Sequence, residues 1–134
     1  MEMTKEFAEL IGIMYGDGCL SSRHNKNVVY ISGHKHLDFD YHNKTTRNLF
    51  LNVFGKNTTI KERKDENTLF IKFSDKSIFD NFRTIGMPVG KKENKLSIPS
   101  KIKDNPYLTC YFLRGLADTD GCVVFSKQHK KYRY

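Results

Sequence analysis

The sequence is short of several things, and each shortage excludes a class. It has no apolar run longer than a few residues, so no segment approaches the ~20 apolar residues of a transmembrane helix. It opens Met1-Glu2-Met3-Thr4-Lys5-Glu6, without a basic stretch leading into an apolar one, so a secretory signal is not expected. Its three cysteines are an odd number without CxxC spacing. A disulfide framework or zinc ribbon is therefore not expected, and a reducing cytosolic compartment fits. Acid is also scarce: 15 Asp and Glu stand against 23 Lys and Arg, a formal net charge of +8.

What is present is a globular composition. Hydrophobic residues make up 38%, with ten Phe and seven Tyr, which is too apolar for a disordered basic tail. A chain of 134 residues can bury one real core but not two complete ordinary domains. A basic excess on a small cytosolic domain points to a polyanion such as nucleic acid, with a solvated lysine surface as the alternative.

Along the chain, Phe7, Leu10, Ile11 and Met14 recur at helical spacing after the N-cap candidate Thr4, predicting a helix over 4–16. Leu20–Ser22 and Val28–Ser32 flank a polar stretch and read as a hairpin. Helical spacing returns over 37–54, with Leu37, Tyr41, Leu49, Phe50, Val53 and Phe54 as the buried stripe and Gly55 as the stop. A second hairpin pairs Thr58–Arg63 with Thr68–Ser74, where Leu69, Ile71 and Phe73 alternate with polar neighbours and Phe70. A helix over 75–85 presents Ile78, Phe79, Phe82 and Ile85. Two of the three prolines fall in a loop over 87–103, which also carries Lys91 and Lys92; the third, Pro106, follows the N-cap candidate Asn105 and opens a helix to about Asp118. Val123 to Phe125 reads as a strand. The fold class is therefore α+β: an αββαββ unit with an antiparallel sheet over 1–104, then over 105–134 the first helix and strand of a second unit.

The first and last helices resemble each other. Leu10-Ile11-Gly12-Ile13-Met14-Tyr15-Gly16-Asp17-Gly18-Cys19 aligns without gaps on Leu113-Arg114-Gly115-Leu116-Ala117-Asp118-Thr119-Asp120-Gly121-Cys122. Half of these ten positions are identical, at an offset of 103 residues, which suggests a duplicated unit and not a solenoid period. Gly12 and Gly16 lie on one helix face, as do Gly115 and Thr119. Small residues at that spacing let two helix backbones meet in a dry seam. Each helix then ends in Asp-Gly, although the macrodipole disfavours an acid there. The seam would bring Asp17 and Asp120 together. Two carboxylates at one point repel unless a divalent cation lies between them, and hard oxygen ligands select Mg²⁺ or Ca²⁺.

At these residues the sequence resembles the LAGLIDADG homing endonuclease family. Gly86-Met87-Pro88-Val89-Gly90-Lys91-Lys92 through Ile98-Pro99, followed by Phe112-Leu113-Arg114-Gly115, is similar to its archaeal intron- and intein-type members. The resemblance implies a saddle-shaped domain and a sequence-specific DNA endonuclease that makes a double-strand break using Mg²⁺. It places the metal site at Asp17 and Asp120, with Gly18 and Gly121 beside them. It also implies a catalytic basic residue near each metal; no motif fixes its position, and Lys72 is the candidate on strand geometry, with an ordinary phosphate contact or surface lysine as the alternative. Non-cleaving relatives on the same fold, an intron maturase or a regulator, are the alternative, as is an inactive remnant. The second unit is expected to be truncated, because only thirteen residues follow Gly121.

The sheet supplies the candidate DNA face. Thr59, Lys61 and Arg63, with Lys72 and Ser74 alongside, take the face opposite Ile60, Leu69, Ile71 and Phe73. The first hairpin adds Ser21, Arg23, Tyr30 and Ser32, with Lys26 in its turn, and Lys127 follows the last strand. Such a mixture neutralises phosphates and offers donors to base edges. Double-stranded DNA is the expected partner. No membrane and no small organic cofactor is expected, and the location is intracellular, near the nucleoid. His34 and His36, and Cys19 and Cys122, fall short of a zinc ligand set. Asp118-Thr119-Asp120-Gly121 lacks the sixth-position Gly and late Glu of an EF-hand. The last helix carries more apolar residues (Leu108, Tyr111, Phe112, Leu113 and Leu116) than one seam uses, so a homodimer through the motif helices is expected.

Overall fold

The computed structural model describes residues 2–64, 66–90 and 97–128, with side chains described as far as 119. Helix α1 (Lys5–Asp17) starts where Thr4 accepts a hydrogen bond from the Phe7 N–H at 3.1 Å. It runs directly into β1 (Gly18–Arg23). Gly18 is extended, with φ −105°, so the chain passes from the helix straight into the strand. This glycine is needed for packing, since a Cβ there would lie 2.6 Å from the Met14 sulfur.

Strands β1 and β2 (Lys26–His34) form a hairpin longer than periodicity indicates. Its two-residue turn is His24-Asn25, both at positive φ (52° and 63°), as a right-twisted tight hairpin requires. β4 (Thr68–Ser74) pairs with β2, and β3 (Lys61–Glu62) with β4, giving an antiparallel sheet in the order β1-β2-β4-β3. β3 is shorter than the expected Thr58–Arg63. The Arg47 guanidinium takes the Thr58 carbonyl at 2.8 Å, drawing that residue toward the helical layer and away from the sheet.

The expected helix over 37–54 divides into α2 (Phe39–Tyr41), a π-turn (His42–Thr46) and α3 (Arg47–Phe54). Leu37 does not join the core; it is 80% exposed. The turn before it is pinned by Asp38, whose carboxylate accepts from the His34 N–H at 2.6 Å. Gly55 then ends α3 at φ 65°. Helix α4 (Lys76–Thr84) is capped by Asp75, which accepts from Ile78. The loop after it holds a short helix, α5 (Ser100–Lys103), because fully buried Ile102 anchors it to the core. Helix α6 (Pro106–Gln128) starts under the Asn105 side chain, which accepts from the Tyr107 and Leu108 N–H groups. It continues through Val123, Val124 and Phe125, so the expected strand does not form. A strand needs a hydrogen-bonded neighbour, whereas a helix satisfies its backbone locally. Lys91 and Lys92 lie outside the described residues.

Helices α1, α3, α4, α5 and α6 contribute to the core beneath the sheet's inner face, which is formed by Leu20, Val29, Ile31, Leu69 and Ile71. Phe7, Phe50, Phe54 and Phe82 meet edge-on or tilted at centroid distances of 5.7–6.5 Å beneath it. From Phe7 to Tyr15 helix α1 is buried on every side, apolar and polar residues alike, because α6 covers the flank that the sheet does not.

The α1–α6 contact is a backbone contact. A methyl on Gly12 would overlap the Phe112 carbonyl oxygen and come within 2.8 Å of the Leu116 nitrogen. A methyl on Gly115 would overlap the Glu9 carbonyl oxygen. Removing a helical glycine gains about 1 kcal/mol of propensity. Overpacking a rigid seam costs about 1–3 kcal/mol or more, and here the obstacle is backbone, which cannot rotate away. Gly12→Ala should therefore lose about 2 kcal/mol in urea unfolding. Gly55→Ala, which meets no atom within 4 Å but sits at positive φ, should lose about 1 kcal/mol from backbone strain alone. A Gly12→Ala midpoint at or above wild type would remove the backbone contact as an element of stability.

Candidate functional site

Asp17 is the last residue of α1 and stands immediately before edge strand β1. Its side chain is 18% exposed, at the junction of helical layer and sheet. Gly12 and Gly115 are brought together at the seam. Gly16 lies one turn beyond Gly12, on the last turn of α1. The Thr119 hydroxyl turns back onto its own helix, donating to the Gly115 and Leu116 carbonyls at 3.0 and 3.2 Å. Asp120, Gly121, Cys122 and Lys127 belong to the stretch of α6 whose side chains lie outside the described residues.

The partner that sequence reasoning missed is His42. Its ring is fully buried, with Nε2 at 3.1 Å from Asp17 Oδ2 and Nδ1 at 2.8 Å from the Thr46 hydroxyl. A histidine within a helical pattern, with threonine four residues on, is the only local signal. Its link to Asp17 spans 25 residues and leaves no periodic trace.

Strand alternation turns Cys19, Ser21 and Arg23 on β1, Lys26, Val28, Tyr30 and Ser32 on β2, and Phe70, Lys72 and Ser74 on β4 to the other side of the sheet, where Arg23, Lys26, Lys72 and Ser74 are exposed and the rest half-buried. Lys61 faces Phe70 in the register, and Thr59 is exposed in the segment before β3. Ser21, Arg23, Lys26, Tyr30, Arg63 and Lys72 line one open trough of about 860 Å³. Lys72 sits opposite Tyr30 at the centre of the sheet, exposed. Among these residues Arg63 is held in place. Its guanidinium donates to the Tyr30 hydroxyl at 2.8 Å and lies 4.9 Å from the Phe70 ring centroid, while Tyr30 and Phe70 stack at 5.9 Å.

A second polar group flanks the seam. Glu9 is only 9% exposed, and its carboxylate is 3.8 Å from Arg114. Burial raises its pKa above the usual range, with Arg114 opposing and Asp118 adding to the rise. The Tyr41 hydroxyl is buried beside Asp118, and burial followed by that negative charge pushes its pKa up. Tyr15 donates to the Ser97 carbonyl at 3.1 Å, and burial lifts its pKa to about 12.

The donor chemistry fits a hard cation of the magnesium type. Among the described residues no group of three or more His, Cys, Asp and Glu side chains converges, so there is no all-protein cage. Magnesium keeps several waters and takes one or two carboxylates together with substrate phosphates, which is what a partly exposed Asp17 beside a basic face can offer. Zinc is not supported at His34. Its Nδ1 accepts from the His36 and Leu37 N–H groups. No helix among the described residues is long and apolar enough to cross a membrane.

The sequence matches no protein-family model and no curated protein. The fold has solved counterparts. A variant of I-DmoI, in complex with its target DNA nicked in the coding strand and in the presence of Mn, superposes with a TM-score of 0.62 at 16% identity, covering 93% of this chain and 66% of that one. I-DmoI in complex with DNA and Ca gives 0.58 at 16% identity, covering 89% and 59%. Variants of I-DmoI described as a homing endonuclease give 0.60 at 13% identity, covering 89% and 59%. The chain thus has the LAGLIDADG endonuclease fold and spans two thirds or less of the length of these structures.

The buried Glu9 makes stability depend on pH. Its folded-state pKa lies above the unfolded value near 4.5, so the folded state holds the proton more tightly. That contribution is fully present below the unfolded pKa and is lost as pH rises through the folded one. Glu9→Gln should therefore raise the urea midpoint at neutral pH relative to wild type and flatten the decline that begins above about pH 4.5. Parallel pH profiles for the two proteins would show that Arg114 fully offsets the burial.

Proposed function

We propose that the chain is a DNA endonuclease of the homing type, which binds duplex DNA on the open sheet face and hydrolyses a phosphodiester with a divalent cation held at Asp17. The carrying observation is continuity: Asp17 ends the glycine-packed helix, and the next residue begins the strand that bears Ser21 and Arg23. The likeness of the fold to I-DmoI bound to DNA with Mn or Ca supports the same reading. Residues 1–104 form the first unit and 105–134 begin the second, which contributes Asp120. Gly18 and Gly121 flank the two acids. An intracellular location at the nucleoid, in an intron- or intein-borne element, accords with this activity.

The residues divide the work. Arg23, Lys26, Lys61 and Lys72 neutralise phosphates and set the register of the duplex. Arg63, with Ser21, Ser32 and Thr59, offers donors to base edges. Lys72, exposed at the sheet's centre, serves the strand being cut. Asp17 and Asp120 would hold the cation, which when bound would supply the Lewis-acid chemistry that activates water and stabilises the leaving oxygen. A non-cleaving nucleic-acid-binding role uses the same face, and substitution of Asp17 distinguishes the two.

Binding to duplex DNA should fall steeply with salt, and Lys61→Ala or Arg63→Ala should weaken it. Asp17→Asn should abolish Mg²⁺-dependent cleavage of a site library while leaving binding largely intact. Full cleavage by that variant would end the proposed role for Asp17. Salt-insensitive binding would end the role of the sheet.

Helix α6 leaves Tyr107 58% and Leu113 43% exposed, on a helix whose Leu108 and Phe112 are already buried against α1 and the core. The chain should therefore self-associate through this helix, or by pairing two α1 helices so that two copies of Asp17 form the site. Light scattering should show dimers at high concentration. A strict monomer would defeat this expectation, and cleavage surviving Asp120→Asn in a dimer would assign the site to paired Asp17 residues.

A further inference from the structure

We propose that His42 is a positioning residue that fixes the Asp17 carboxylate for cation binding, within a directed hydrogen-bond chain that starts at Thr46. The inference rests on the reading of Asp17 as the metal-binding acid. The direction of the chain follows from what each group can do. An ionised carboxylate only accepts, so His42 Nε2 carries the hydrogen donated to Asp17 Oδ2 at 3.1 Å. In the neutral ring Nδ1 is then the acceptor, and the Thr46 hydroxyl donates to it at 2.8 Å.

Three features show that the ring is built into place. His42 and Thr46 are both fully buried, whereas Asp17 still reaches solvent. The two residues bound the π-turn, in which the Arg47 N–H reaches back to the His42 carbonyl. Single π-turns inside helices are frequent at functional sites. Gly33 of β2 makes room, because a Cβ there would lie 3.1 Å from His42 Cδ2. An apolar side chain would fill this space without the cost of burying an imidazole. The imidazole ties down Oδ2 and leaves Oδ1 to turn toward a cation. Outer partners of this kind orient metal-binding carboxylates, and their loss typically weakens metal binding by about 10–100-fold.

The test uses the full chain and Mn²⁺, followed by electron paramagnetic resonance with a random-sequence duplex bound. Nitrogen-15 NMR of the imidazole is recorded alongside. The ring should show the tautomer with hydrogen on Nε2; hydrogen on Nδ1 instead would overturn the proposal. His42→Leu should weaken Mn²⁺ binding by about 10–100-fold with DNA affinity in EDTA unchanged. His42→Gln, whose amide can donate to Asp17, should recover part of that loss. Should His42→Leu fail to fold, Thr46→Val keeps the volume, removes the donor to Nδ1 and should shift Mn²⁺ affinity several-fold in the same direction. Unchanged affinity in a folded His42→Leu, or in Thr46→Val where it alone folds, would overturn the proposal. Asp17→Asn measured in parallel separates the two levels. If it leaves Mn²⁺ binding intact, the reading of Asp17 fails; if it abolishes binding while the His42 and Thr46 variants do not move it, only the positioning role fails.

Discussion

Between α1 and α6 the closest neighbours are backbone atoms. The Phe112 carbonyl stands against Gly12 and the Glu9 carbonyl against Gly115, a reciprocal arrangement in which each helix offers a carbonyl to the other's glycine. Contacts of this type between Cα–H and carbonyl are worth only about 0.5–1 kcal/mol each. Their larger effect is geometric. Helices this close hold α1 sealed between α6 and the sheet, and a sealed helix has a fixed end. Asp17 is that end. The position of the acidic side chain, the burial of Glu9 and the place where β1 begins all follow from the absence of two side chains.

Local chemistry made much of this fold legible. Thr4 and Asn105 act as caps where the sequence places them, Asp75 caps the helix expected to begin there, and the apolar spacing of α1 and α4 names residues that are buried. The two glycines of the seam were visible because the motif occurs twice. What sequence could not show is set by hydrogen bonds between distant residues. Arg47 shortens β3 through Thr58, eleven residues away. His42 was invisible for the same reason, since its partner belongs to another helix and neither neighbour marks it. Helix α6 ran past its expected end because Val123 and Val124 have extended propensity but, among the described residues, no strand to join.

The sheet separates two kinds of chemistry with one layer of backbone. On one side, phenylalanines and aliphatic residues exclude water; on the other, cations and hydroxyls meet it. Strand alternation enforces this separation residue by residue, so Ile71 and Lys72, adjacent in sequence, work in opposite environments. Asp17 stands where the two environments meet, and its hydrogen-bond partner lies on the dry side.

Arg63 has a further consequence for how recognition on this face can change. Its guanidinium is fastened to Tyr30 on β2 and laid over Phe70 on β4. Much of its rotational freedom is spent before any ligand arrives, so contact with a base or phosphate costs less ordering entropy than it does for a loose lysine. The same fastening makes the three positions interdependent. A new preference at this point is reached by altering side chains on neighbouring strands together, and intermediates along that route lose grip before they gain it. Under the proposed DNA-binding role, specificity at this point is inherited as a cluster of three side chains.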